Sequence, residues 1–255
     1  MRTYHDVPNI KIDGDEYTSG FLGLDWAPSK DAKIQKQRYE TDINAALERL
    51  ANTWTGWAII TEIYYTQRQM VICPYHPTPQ TGQFNAYAKP VDVKAATMKD
   101  TTALDDHGKL PPKDQRIVGT GTGSNTIVRF SSTTFTGAGA PTGPGTSPDE
   151  ILLHEMIHAL RQMQGRMVRE SVAGNPGMDN YEEFAAITIS NIYRSEKGNT
   201  TLRADHWGFN PLTGPTVASS VFKSTYLSYL AHMNIEQPRV CQNLRQAKCA
   251  FNPFL

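Results

Sequence analysis

His154 and His158 stand four residues apart, with Glu155 directly after the first, in the run His154-Glu155-Met156-Ile157-His158. Residues four apart share one face of an α-helix, so both imidazoles can reach the same point. Two neutral imidazoles supply two of the three protein ligands of a catalytic zinc site. Glu155, about 100° further round the helix, is not a ligand in this geometry. It can instead reach a water on the ion and act as general base for attack on an amide carbonyl. With 7 His and 11 Glu among 255 residues, the pattern arises by chance with a probability of about 1%. The cofactor these residues call for is Zn2+.

A third ligand has to come from another element. Tyr181-Glu182-Glu183-Phe184 opens the next helical stretch. A chain that turns and returns antiparallel would set a carboxylate there beside the histidines, completing a His-His-Glu set with one position open to water. Glu182 is the first choice. It also follows Asp179 by three residues and could close a capping box, which would leave Glu183 as the ligand.

These residues need two helices to hold them, and both are signed. Ser147-Pro148-Asp149-Glu150 reads as N-cap, N1 and N3 of a zinc helix over 148–164, stopped at Gly165. Asp179 or Asn180 opens a ligand helix over 180–197 with Phe184, Ile187, Ile189 and Ile192 along it. Upstream, Ile43, Leu47 and Leu50 follow helical spacing within a backing helix over about 31–52. Trp57–Tyr65 and Gln69–Tyr75 are β-rich runs around Thr66-Gln67-Arg68 and read as an antiparallel hairpin. Thr126–Phe130 reads as a short strand, Ser131–Thr146 as a surface loop, and Val217–Met233 as a last helix before a Pro-bearing tail. Residues 1–30 read as an irregular arm and 31–255 as one catalytic domain. The fold class is α+β, zincin-like, with a small twisted sheet. An extended substrate is expected along Ile127–Phe130 as the edge strand.

Composition excludes several classes. Lys+Arg and Asp+Glu both total 25, which argues against a nucleic-acid binder driven by backbone charge. No stretch approaches the roughly 18 apolar residues that span a bilayer, and the opening residues lack the apolar core of a Sec-type signal. Three cysteines, Cys73, Cys241 and Cys249, are too few for a disulfide framework; Cys241 and Cys249 could pair near the C-terminus, and free buried thiols are the preferred reading. Gly119–Gly123 lacks the helix opening and Lys-Ser/Thr of a phosphate loop and reads as a turn. His5, His107 and His232 have no partner at ligand spacing.

The run from the zinc helix through YEEF resembles the gluzincin branch of zinc metallopeptidases. With Asn191-Ile192-Tyr193-Arg194, Glu196, Gly198 and Leu202-Arg203 after it, and GTGSNTIVRF before, it is similar over roughly 117–210 to compact bacterial effector metallopeptidases of the NleD type. More distantly it resembles clostridial neurotoxin light chains. The resemblance implies that Glu182, the first of the glutamate pair, binds zinc. It also implies that Arg203 stabilises the oxyanion, with His206 standing where the light chains carry Tyr in an Arg-x-x-Tyr motif. It further implies a protein substrate, a secretion chaperone or immunity protein as partner, and export into a target cell by a dedicated machine rather than the Sec route. The function read here is a zinc-dependent endopeptidase. The alternatives are a cytoplasmic zinc amide hydrolase and a zinc-binding protein without peptidase activity.

Overall fold

The computed structural model describes residues 1–5, 7–15, 30–76, 85–103, 109–172 and 176–255. Its centre is a five-stranded sheet of β1 (Arg2–Thr3), β2 (Ile10–Ile12), β3 (Met70–Cys73), β4 (Tyr87–Pro90) and β5 (Thr126–Arg129), in the order β1-β2-β3-β5-β4. The β2-β3 and β3-β5 pairs are parallel, and the outer β1-β2 and β4-β5 pairs are antiparallel. Parallel neighbours need crossover connections. The one between β2 and β3 carries α1 (Lys30–Ala51) and α2 (Trp54–Tyr65).

Two expectations are corrected here. The residues before 16 are not an irregular arm: β1 and β2 belong to the sheet, and Tyr4, Ile10 and Ile12 are fully buried. Residues 16–29 of that segment, and His107, lie outside the described residues. The expected hairpin is a helix followed by a strand. Ala58, Ile59 and Ile63 make a helical stripe as well as a β-rich run, and periodicity over so few residues does not separate the two. The ends decide it. Thr53 caps α2 by accepting from Gly56 N at 3.0 Å, and the Glu196 carboxylate accepts from Trp54 N and Thr55 N at 2.6 and 3.0 Å. Gly56 is required there, because a Cβ would lie 2.1 Å from Leu50 O where α2 turns away from α1.

The edge strand is corrected too. β5 is interior, with β3 on one side and β4 on the other, so β4 forms the edge near the histidines. The chain continues through α3 (Val93–Ala96), α4 (Pro148–Met163) and α5 (Tyr181–Glu196). The last expected helix is broken at Tyr226 into α6 (Ser219–Thr225) and α7 (Leu227–Glu236), and the tail holds α8 (Pro238–Leu244). The three cysteines are free.

α4 is the hub. It packs against β4, β5, α1, α2 and α5. Leu152, Leu153, Met156, Ala159 and Leu160 are fully buried. Gly165, at φ +68°, ends the helix against the backbone of Gly121, so the 119–123 segment is a packing turn. The fold is α+β, with the backing, histidine and glutamate helices where the sequence placed them.

Candidate metal centre and active site

A helix buried on almost every side carries charged residues only where partners await them. α4 buries Asp149, Glu150, His154, Glu155, Arg161 and Gln162. Ser147 stands at its N-cap without a side-chain capping bond, so Pro148 at N1 and the two acids of the first turn shape this end. α5 runs antiparallel alongside. At one end of the pair, Asp149 accepts from Tyr193 Oη at 2.5 Å and Lys197 Nζ at 2.6 Å, and Glu150 accepts from Arg194 Nη1 at 2.6 Å. Burial opposes the charge on Asp149, but those two donors outweigh it and hold the carboxyl down at about 2.

The other end gathers the histidines. Asn180 is the N-cap of α5, its Oδ1 accepting from Glu182 N at 2.9 Å and Glu183 N at 3.2 Å. This cap sets the rotation of the glutamate pair. Glu183 turns to the imidazoles: its Oε2 lies 3.1 Å from His154 Nε2 and its Oε1 3.3 Å from His158 Nε2. The two Nε2 atoms are 3.1 Å apart. Four donors held tetrahedrally at about 2.0–2.1 Å from a zinc ion stand about 3.3 Å from one another. The spacing of these three residues therefore fits such an ion, and among the described residues they form the group whose ligand atoms lie within 4.8 Å of one another.

Glu182, the first choice for third ligand, faces elsewhere. Its carboxylate accepts from Arg161 Nε at 3.0 and 3.1 Å and from Val168 N at 2.8 Å, and comes no closer than 4.0 Å to His158 Nδ1. The capping box with Asp179 does not form, because Asn180 is the cap. Arg161, fully buried, continues to Glu236 at 3.0 Å and to Arg166 O at 2.8 Å. Nothing in the local sequence marks it as part of the site beyond its place seven residues after His154, on the same buried helix face.

Electrostatics set these groups apart from ordinary side chains. Burial holds His154 neutral, down to about 3, against the pull of Glu183. Burial also opposes charge on His158, yet Glu183 and Glu182 outweigh it and raise that ring to about 10. Glu155 is pushed up to about 7 by burial, with Glu183 adding to the rise and His158, Arg203 and a hydrogen bond from the Ala88 backbone opposing it. Glu155 thus sits between the histidines and the β4 edge, where Gln162 Nε2 also donates to Ala88 O at 3.1 Å.

Arg203 and His206 arrive on one loop. Arg203 is buried with its guanidinium over the Phe209 ring, Nε donating to Asp205 O at 2.6 Å and Nη2 to His206 O. Its bonds brace the loop, while its charge acts on Glu155 and His154. The His206 ring stacks on His154 at 6.1 Å between centroids, with Nε2 3.5 Å from Glu183 Oε2.

The family model Peptidase_M91, described as "Effector protein", matches residues 29–219, about three quarters of the chain. The chain belongs to this family. It is a metallopeptidase effector. Two solved structures are similar at 13% identity. One, titled as the crystal structure of Clostridium botulinum neurotoxin serotype F light chain, pairs with 89% of this chain and 76% of its own at a TM-score of 0.38. The other, titled as botulinum neurotoxin serotype HA light chain, pairs with 94% of this chain and 60% of its own, also at 0.38. At that level of superposition neither bears on function. No curated protein matches the sequence. No helix among the described residues is long and apolar enough to cross a membrane.

Proposed function

We propose that the effector cleaves peptide bonds inside a protein substrate of a target cell, using a zinc ion held by His154, His158 and Glu183. The observation that carries this is the convergence of the two imidazole Nε2 atoms and the Glu183 carboxylate, whose closest separations are 3.1, 3.1 and 3.3 Å. Bound there, zinc would polarise the scissile carbonyl and acidify the attacking water. Glu155 takes the proton of that water on its carboxylate and returns it to the leaving amine. A carboxyl raised to about 7 by burial is suited to both halves of that exchange near neutral pH. Glu182, fastened by Arg161, stands behind His158 and orients it rather than serving as a ligand. His206 faces the site from the open side with its Nε2 toward Glu183, while Arg203 holds its loop and contributes positive charge beside the developing oxyanion. An extended peptide lies along β4, at Tyr87–Pro90, next to Glu155.

The test combines metal analysis with identification of new protein termini in a cell lysate. Wild type is expected to carry one zinc per chain and to generate new termini. Glu155→Gln is expected to keep the zinc and to generate them at least about 100-fold more slowly. Zinc-loaded Glu155→Gln that cuts as fast as wild type would overturn the role of Glu155, and wild type that binds no zinc would overturn the centre.

A further inference from the structure

Asp179 precedes the cap of α5 and holds a left-handed backbone, φ +45°, a conformation that costs energy for a residue with a Cβ. Its side chain is committed. One oxygen, Oδ2, meets His206 Nδ1 at 2.8 Å and accepts from Trp207 Nε1 at 2.8 Å. An ionised carboxylate only accepts, so His206 Nδ1 carries the hydrogen. The other ring nitrogen, Nε2, then faces Glu183 Oε2. The backbone brings this loop close through His206 N donating to Gly177 O at 2.8 Å and through Arg203. Those bonds leave the ring free to rotate, and the Asp179 carboxylate removes that freedom. Trp207 lies 4.2 Å from the His206 ring between centroids, pinned at its nitrogen yet 74% exposed.

We propose that Asp179 is a positioning residue: its carboxylate locks the His206 imidazole as the Nδ1–H tautomer with Nε2 presented to the site as a hydrogen-bond acceptor, and fixes the Trp207 indole at the rim as a platform for an apolar or planar substrate side chain. The inference rests on the metallopeptidase reading and adds to it an orienting residue and a specificity surface. A second-sphere carboxylate acts through geometry, so its loss should appear in kcat and vanish when His206 is already gone. Trp207 should act on KM.

The experiment uses zinc-loaded full chain and the variants Asp179→Gly, Asp179→Asn, His206→Ala, Asp179→Gly with His206→Ala, and Trp207→Ala. Glycine removes the carboxylate while accepting the positive φ, and asparagine keeps both an acceptor and the backbone conformation. Two readouts are taken: steady-state cleavage, and nitrogen NMR of the histidine rings, with His206 assigned by its absence in His206→Ala. In Asp179→Gly, kcat is expected to fall between about 10- and 100-fold with KM within about 2-fold. Asparagine should restore most of the loss, and the double variant should be no slower than His206→Ala. Trp207→Ala should raise KM. The Nδ1–H tautomer of His206 should be single in wild type and mixed in Asp179→Gly. Losses that multiply in the double variant, a loss of zinc in Asp179→Gly, or an unchanged His206 tautomer would overturn the proposal. If wild type cleaves nothing, the peptidase reading fails, and the ring signal alone then decides whether Asp179 orients His206.

Discussion

The two ends of the α4–α5 pair are built from similar residues and do opposite things. At the end near Asp149 and Glu150, each buried acid meets a base: Lys197 Nζ and Arg194 Nη1 stand at 2.6 Å from their carboxylates. At the end near His154 and His158, two imidazoles and Glu183 aim their donor atoms at one another, and among the described residues no lysine or arginine forms an ion pair with Glu183. Charge satisfied within the chain holds helices together. Two imidazole nitrogens and a carboxylate converging on one point make instead a set of metal ligands. The Arg161–Glu182 pair behind His158 follows the first pattern and accounts for the division of labour between the adjacent glutamates.

The comparison is broken most severely by removing a converging donor. His154→Ala and Glu183→Gln should each lose bound zinc and all measurable cleavage, while Glu182→Gln should keep the ion with affinity reduced about 10- to 100-fold. Competition with a chromogenic chelator separates the two glutamates. Next in size is Glu155→Gln, expected to lower kcat by about 10²- to 10⁴-fold at unchanged zinc content, as read by single-turnover cleavage. Arg161→Met leaves the buried carboxylates of Glu182 and Glu236 without their partner. It should cost about 3–5 kcal/mol of stability in urea unfolding.

The smallest effect sharpens the matched end. Asp149 titrates at about 2 in the folded chain against an ordinary 3.8. Its folded value is depressed, so its contribution is complete above the unfolded value and is lost as pH falls through the folded one. Wild type should therefore lose about 2 kcal/mol from this group between about pH 4 and pH 2. Asp149→Asn should be less stable near neutrality and flatter across that window. Urea midpoints at a series of pH values check the slope.

How much of this was legible in the sequence follows from how local each feature is. The His154–His158 pair and its helix could be read because spacing, cap and chemistry lie within one segment. The same holds for α1 and β5. The third ligand was narrowed to two adjacent residues, and there local reading ends: residues one apart differ by about 100° round a helix, so the choice depends on how Asn180 starts α5 and where Arg161 waits to take Glu182. Asp179 has only the local signature of a cap, since its partners His206 and Trp207 lie far along the chain. β1 and β2 were missed because strands of two and three residues carry almost no periodicity. α2 was misread because β-branched residues fill a helical stripe, and its start depends on Glu196, which is distant in sequence. The edge strand was misplaced because β4 comes before β5 in the chain yet lies outside it in the sheet.

The most direct test is an anomalous-difference map at the zinc edge, from crystals grown with one equivalent of zinc. A single peak is expected about 2.0–2.2 Å from His154 Nε2, His158 Nε2 and one Glu183 oxygen, with the Glu182 carboxylate still on Arg161. A peak bound through Glu182, or no peak between the two imidazoles, would contradict the account.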